Sequence, residues 1–547
     1  MTVTTSLRSA GAVSALVATL GVAQGPKPAN DDETRWLRHV TVLADDALEG
    51  RQTGSEGYRK AAAYVVSHFE KAGLKPAGSK GFLQSVSFSQ RRILEDQSRV
   101  VLVRDGNEDV LQFGSDITIN LRAELKPSVE APLVFAGYGL SAPDVGHNDL
   151  AGLDLAGKVA VYIGGTPAAI HGPLVAHYQH AAVRWSALRA AGAIGAISIP
   201  NPKAMEQPWE RTAANRLNPV MMLTDPRLND LTGMQVSATV NPTRAERLFA
   251  GSGHTLADLL ALVDAKKPLP RFGLPASLRA RVTLDSTSLQ SENIVALLPG
   301  SDPTLAPEHV VLTAHLDHLG VGAPVNGDRI YNGAMDNASG IATLLEVARG
   351  LAESQPRPKR SVLFVAVTGE EHGLLGSRYF AGEPTVPKST IVANINMDMF
   401  LPLFPMKSVM VLGLDESDLG DRVRDVATRM GLGVNADPQP ERNRFTRSDQ
   451  YSFIRQGIPA LALKVGFEPG SPAAESDAVW TKQRYHAPSD DLQQPMDLGA
   501  AATFTRLIAS LSAEVANHAA KPRWKDNSFF RRFATARQPG VSSHLTQ

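Results

Sequence analysis

The sequence predicts an α/β protein: a three-layer α/β/α domain built on a mostly parallel mixed sheet, with a smaller α/β domain inserted into it. Three observations predict this. The 547 residues are too many for one hydrophobic core. From residue 292 onward, strand-length runs that are apolar throughout (IVALLPG, HVVLTAH, SVLFVAVTG, IVANINMD) alternate with amphipathic helical segments. Such runs belong in a sheet covered on both faces. Between about 126 and 285, a second series of Gly-bounded strands and helices is long enough to bury a core of its own.

Taken in order, residues 1–23 read as a secretory signal. Arg8 is the lone charge of the n-region, AGAVSALVATLGVA is the h-region, and Gly21-Val22-Ala23 offers small residues for cleavage. The apolar run is too short to span a bilayer, so export to a secreted or periplasmic location is expected, without stable membrane insertion. Residues 24–33 form a polar linker. Residues 34–125 form the first part of the large domain: TRWLRHVTVLA and EGYRKAAAYVVSHFEKAGL carry helical periodicity, the second stopping at Gly73. Short strands of period two follow (FLQSVSFSQ, SRVVLVRDG, VLQFG).

Within 126–285, LVFAGYG, GKVAVYIGG and GAIGAISIP are strands and AAVRWSALRAAGA is a helix. Thr243 and Glu246 have capping-box spacing, and LRARVTLDS is the exit strand. Residues 286–520 complete the large domain, ending on the helix LGAAATFTRLIASLSAEVANHA. The basic, aromatic tail 521–547 (NSFFRRF) is expected to pack at an edge.

Lys+Arg and Asp+Glu are equal at 55 each, and this balance argues against a nucleic-acid or anionic-membrane partner. Cysteine is absent, which excludes disulfides, lipid attachment through cysteine and thiolate metal ligands. Any metal must be held by imidazole and carboxylate.

Such residues recur at the ends of the apolar strands. His315 closes HVVLTAH, Asp336 lies in NGAMDNASG ahead of a helix, and Glu370 and Glu371 follow SVLFVAVTG. Asp398 closes IVANINMD, and His486 lies in RYHAPSDD. In an open α/β sheet, ligands bind outside the carboxyl ends of the strands, so one edge gathers these segments. Taken singly, each has a plainer reading as a structural histidine, a helix cap or a solvated turn. Two adjacent carboxylates after so apolar a strand, however, repel unless a cation compensates them. Two His, two Asp and one Glu suit two divalent ions of the zinc class, leaving one Glu as a base. Asp317, two residues after His315, is placed to orient a metal-bound imidazole. His318 and His372 read as non-ligands.

HLDHLG, GAMDNASG, TGEEHGLLGS, NINMDM, RSDQYSFIRQGIPAL and YHAPSDD, in this order over about 292–515, resemble the co-catalytic zinc aminopeptidases of peptidase family M28. Helices 34–76 resemble the family's N-terminal part. The block 126–285 is similar to the protease-associated domain that some members carry, from VFAGYGLSAPD to RAAGAIGAI. The resemblance implies two Zn2+ per chain bridged by Asp336, with His315 and Asp398 completing one site and Glu371 and His486 the other. It implies Glu370 as general acid/base, Tyr485 as hydrogen-bond donor to the oxyanion, and a peptide with a free N-terminus as substrate. The chain has Gln450 where many members have His, which bears on the substrate pocket. The alternatives are a carboxypeptidase or dipeptidase on the same scaffold, a glutaminyl cyclase, or a non-catalytic receptor-like ectodomain.

Overall fold

The computed structural model describes residues 27–205 and 208–535; the signal-peptide segment lies outside them. A ten-stranded mixed sheet dominates. Its main strands are β1 (Leu83–Ile93), β2 (Val220–Leu223), β3 (Leu284–Leu298), β4 (His309–His315), β5 (Ser361–Val367), β6 (Ile391–Met397), β7 (Ser408–Leu412), β8 (Gly433–Ala436) and β9 (Ala460–Val465), in the order β2-β1-β3-β5-β4-β6-β9-β7-β8. The four central strands β5, β4, β6 and β9 are mutually parallel, and β3 and β7 flank them antiparallel.

Residues alternate between two apolar layers, as the period of two requires. Val310, Leu312 and Ala314 face one side. There they meet helices α1 (Asp31–Leu43), α2 (Glu56–Lys71), α3 (Ser339–Glu353), α5 (Leu419–Arg429) and α6 (Leu498–Asn517). Val311, Leu363 and Val365 face the other, where α4 (Leu375–Gly382) and the short helix Gln450–Ile454 pack. α1 begins earlier than expected. Asn30 caps it by accepting from the Glu33 amide at 3.0 Å while donating to the Glu33 carboxylate at 2.8 Å, so the linker ends before residue 31.

A second, eight-stranded sheet occupies Arg99–Arg281. It takes in three strands ahead of the boundary read near residue 126, namely Arg99–Arg104, Asn107–Leu111 and Ile117–Ile119. In return, β2 leaves the inserted block and pairs antiparallel with β1 at the edge of the large sheet. The expected exit strand divides at residues 282–283: Phe272–Arg281 ends the second sheet, and β3 then pairs with β1 along its whole length.

The Thr243–Glu246 capping box does not form. The Thr243 hydroxyl donates to the Asn241 side chain, and the Glu246 carboxylate accepts from the Leu256 amide, at the start of the next helix, at 2.8 Å. That helix, Leu256–Asp264, is capped by Thr255 instead. The tail packs on a face of the large domain rather than at its edge: Phe530 is fully buried beside Phe445, and Trp524 Nε1 donates to the Gly457 carbonyl at 3.1 Å. No helix among the described residues is long and apolar enough to cross a membrane.

Candidate metal centre

The chain leaves β4 for the neighbouring β5, but leaves β6 towards β9 on the opposite side. β4 and β6 therefore flank the point where the connections diverge, the usual place for a ligand crevice in an open α/β sheet. His315 is the last residue of β4 and Asp398 directly follows β6. Glu370 and Glu371 follow β5, Asp336 lies in the irregular turn before α3, and His486 comes in from the loop before α6.

These side chains converge on Asp336. Its Oδ1 is 3.1 Å from His315 Nε2, which also lies 3.3 Å from Asp398 Oδ1. Its Oδ2 is 3.4 Å from His486 Nε2, which lies 3.0 Å from Glu371 Oε2. The donors thus fall into two groups that share one carboxylate. Ligand atoms of His315, Asp336 and Glu371 lie within 4.8 Å of one another.

Electrostatically the cluster calls for cations. Burial pushes the Asp336 carboxyl up, but hydrogen bonds to His315 and His486 outweigh it and hold the group well below the usual range. Glu371 is lowered in the same way, burial being overcome by His486 and His318. In turn, Glu371 and Asp336 overcome burial at His486 and raise its pKa to about 10, and His315 is also raised. Imidazoles forced to carry charge are standing where positive ions suit the carboxylates, and the mixed N/O donor set fits zinc. Glu370 behaves oppositely. Burial, with Asp398, Glu371 and Asp449 close by, pushes its pKa well above the usual value, and no imidazole hydrogen-bonds to it among the described residues.

Asp317 does not orient the His315 ring through its carboxylate. The backbone carbonyl of Asp317 does so, 3.0 Å from His315 Nδ1. The carboxylate instead accepts the Glu370 and Glu371 amides at 3.1 and 3.4 Å and the Thr53 hydroxyl at 3.0 Å, and so fixes the turn that carries both glutamates. A β-strand's alternation explains this: side chains two residues apart share a face, but here the chain has already left the strand at residue 316.

Two supporting residues escaped the sequence reading. His318 Nδ1 lies 2.6 Å from Glu371 Oε1. Asp490 accepts the Met335 and Asp336 amides at 2.9 and 3.0 Å, holding the shared carboxylate's backbone. Both sit in the motifs HLDH and YHAPSDD, and their charge beside a ligand was the available signal. His372 is buried, its pKa lowered to about 4 by burial and Arg122, and its side chain makes no hydrogen bond to the cluster among the described residues. Tyr485 stacks on His486 with ring centroids 3.9 Å apart, and its hydroxyl accepts from Arg447 at 2.9 Å. Gln450 is buried away from the centre. Its Nε2 donates to the Phe445 carbonyl at 2.8 Å and its Oε1 accepts from Asn396 at 3.2 Å, so it belongs to the packing beneath the crevice.

The cluster opens on two cavities. One of about 70 Å³ is lined by Asp336, Glu370, Asp398, Lys464 and Tyr485. The other, of about 420 Å³, runs between the large domain and the second sheet's segments and is bounded by Glu370, Glu371, Arg122, Met221 and Tyr485 among others.

An α/β/α sheet whose carboxyl edge gathers paired N/O donors and a spare half-buried carboxylate defines the class of metal-dependent hydrolases. Residues 293–512 match the profile of peptidase family M28, and the chain carries a domain of that family. It is 28% identical over 225 residues to leupeptin-inactivating enzyme 1 of Streptomyces exfoliatus, covering 41% of this chain and 46% of that protein. It is 30% identical over 184 residues to a probable zinc metalloprotease of Leptosphaeria maculans, covering 34% and 35%. The chain thus spans less than half the length of these relatives. Among solved structures, the aminopeptidase from Aneurinibacillus sp. strain AM-1 shares the fold, with a TM-score of 0.52 at 17% identity, over 89% of this chain and 95% of that one.

Proposed function

We propose that the protein is an exported di-zinc aminopeptidase, hydrolysing the N-terminal peptide bond of peptides. The observation that carries this reading is Asp336, whose two oxygens each face one His–carboxylate pair, as a bridging ligand would. His315 and Asp398 would hold one ion and His486 and Glu371 the other. When bound, the ions bring the pKa of water towards neutrality and polarise the scissile carbonyl.

The chain supplies the proton handling. Glu370 is half-buried, lines both cavities and is poised by its surroundings to hold a proton. It takes that proton from the attacking water and delivers it to the leaving amine. Tyr485, on the crevice wall, donates its hydroxyl to the developing oxyanion. The second sheet, which we read as protease-associated-like, shapes access by walling the larger cavity.

The names of two relatives, a probable zinc metalloprotease and an aminopeptidase, point the same way. Specificity for a free N-terminus is tested by comparing a leucyl-nitroanilide, its N-acetylated form and a C-terminally blocked peptide, with and without chelator. The expected result is chelator-sensitive cleavage of the free amine substrate alone. Equal cleavage of the acetylated form, or release of C-terminal residues first, overturns it in favour of a carboxypeptidase.

A further inference from the structure

Arg122 lines the 420 Å³ cavity, and its side chain has no hydrogen-bond or ion-pair partner among the described residues. It follows the second sheet's strand Ile117–Ile119, and its backbone is fixed in place: the Asn120 side chain accepts its amide at 3.1 Å, and Arg91 donates to the carbonyls of Leu121 and Ala123. Its guanidinium lies over the turn after the glutamate pair. A Cβ placed on Gly373 would meet Arg122 Cζ at 3.4 Å, and the Gly373 amide closes that turn on the Glu370 carbonyl at 2.8 Å. Even so, the Arg122 side chain makes no hydrogen bond and no ion pair among the described residues, and its Nε is buried unsatisfied. Glu370 and Glu371 act on it only through space.

The other cations of this wall are committed. Arg378 is paired with Asp230, and Arg447 bonds the Tyr485 hydroxyl. A guanidinium carries five donors in a planar fork, and its buried Nε costs free energy if left unpaired. A carboxylate satisfies it with two parallel bonds. Met221, Met222, Leu223 and Leu231 give the same cavity an apolar lining, and its volume has room for a short chain.

The geometry points to Arg122 as the residue that receives a substrate carboxylate on the leaving-group side of the scissile bond, selecting di- and tripeptides by their free C-terminus. This rests on the peptidase reading above and deepens it. The same chemistry could come from an acidic side chain in the residue after the scissile bond, and the experiment separates the two.

The test measures kcat/KM of the zinc-loaded full chain on leucyl-glycine, leucyl-glycine amide and leucyl-aspartate amide. The wild type is expected to favour the free acid over the glycine amide by roughly 10–100-fold, the worth of a hydrogen-bonded charge. Arg122→Met should bring that ratio close to one at unchanged zinc content, and Arg122→Lys should keep part of it. A preference for the aspartate amide equal to that for the free acid assigns the carboxylate to a side chain and overturns selection by the C-terminus. A wild-type ratio near one, or a ratio that survives Arg122→Met, overturns the carboxylate site altogether.

Binding of the same three peptides to the Glu370→Gln protein, with and without Arg122→Met, reads the site without turnover. A free-acid preference there, with no hydrolysis by the wild type, would overturn the peptidase reading and leave the carboxylate site standing. Equal binding of all three overturns the site.

Discussion

Glu370 and Glu371 are neighbours whose surroundings drive them apart. One is held towards its neutral form by burial and nearby carboxylates, the other towards its anion by His486 and His318. Such divergence between adjacent titratable groups is what the proposed roles, base for Glu370 and ligand for Glu371, require. Glu370→Gln should therefore keep fold and zinc but lose on the order of 10²–10⁴ in turnover. Glu371→Ala should lose one metal equivalent, measured by metal analysis of the purified protein. The candidate ligands were legible in the sequence because several His, Asp and Glu, each with a plainer reading alone, recur together at the ends of apolar strands. Asp490 and Arg122 were not, because what they do depends on groups far away in the chain. Asp490 reaches the amides of Met335 and Asp336, and Arg122 arrives from the other sheet.

Among the elements, the second sheet is joined to the large domain by more than its chain connections. Asp230, in the loop after β2, accepts from Arg378 of α4 at 2.9 Å and from Arg455 at 2.8 Å. Removing the shared carboxylate leaves two half-buried guanidiniums uncompensated, so Asp230→Ala should cost roughly 1–3 kcal/mol, seen as a lowered denaturation midpoint in urea. The value should exceed that of an exposed pair such as Arg59–Glu56, worth about 0–1 kcal/mol. Long periodic elements were readable ahead of the structure: β4, β5, β6 and α6 each fall within the runs that predicted them. β2 was not. Four residues, VMML, give no period, and only their pairing with residues 88–91 makes them a strand of the large sheet. The same reason hid the helix start at Thr255, where a local capping pattern at Thr243 competed with a better one downstream.

Over the whole molecule, the contact between the two sheets carries a pH dependence. His177, on the helix Pro173–Gln179, is buried and His180, just after it, half-buried where the second sheet's segments meet the large domain. Burial chiefly, with Arg532 and Arg455 adding for His177 and Arg455 for His180, lowers both pKa values to about 3. The folded state thus binds fewer protons than the unfolded one between about pH 3 and the ordinary histidine value of 6.5, and stability is present above 6.5 and falls as the pH drops through that window. At pH 5.5 the penalty is about 1.4 kcal/mol for each histidine. Asp230 and Glu346, whose pKa values are lowered to about 2, lose their contribution only at more acidic pH. The melting temperature should accordingly fall between pH 7.5 and 5.5, and His177→Phe should remove about half of the part due to these two residues. A fall of equal size in the variant would refute the assignment.

The pairing of β1 with β3 also sets a timetable. Residues 83–93 find their antiparallel partner only at 284–294, so β1 leaves the ribosome roughly 200 residues ahead of it, on the order of 10–40 s at ~5–20 residues per second. Every strand of the second sheet is made in that interval, and so is β2, the one strand of the large sheet able to pair with β1 before β3 exists. The inserted block therefore delivers an early and lasting neighbour for one edge of a nascent strand that would otherwise wait with both hydrogen-bonding edges open, the condition in which chains pair with one another instead of with themselves. Slowing translation between residues 224 and 284 should then be tolerated better than slowing it between 94 and 219, with the soluble yield of full-length protein as the readout.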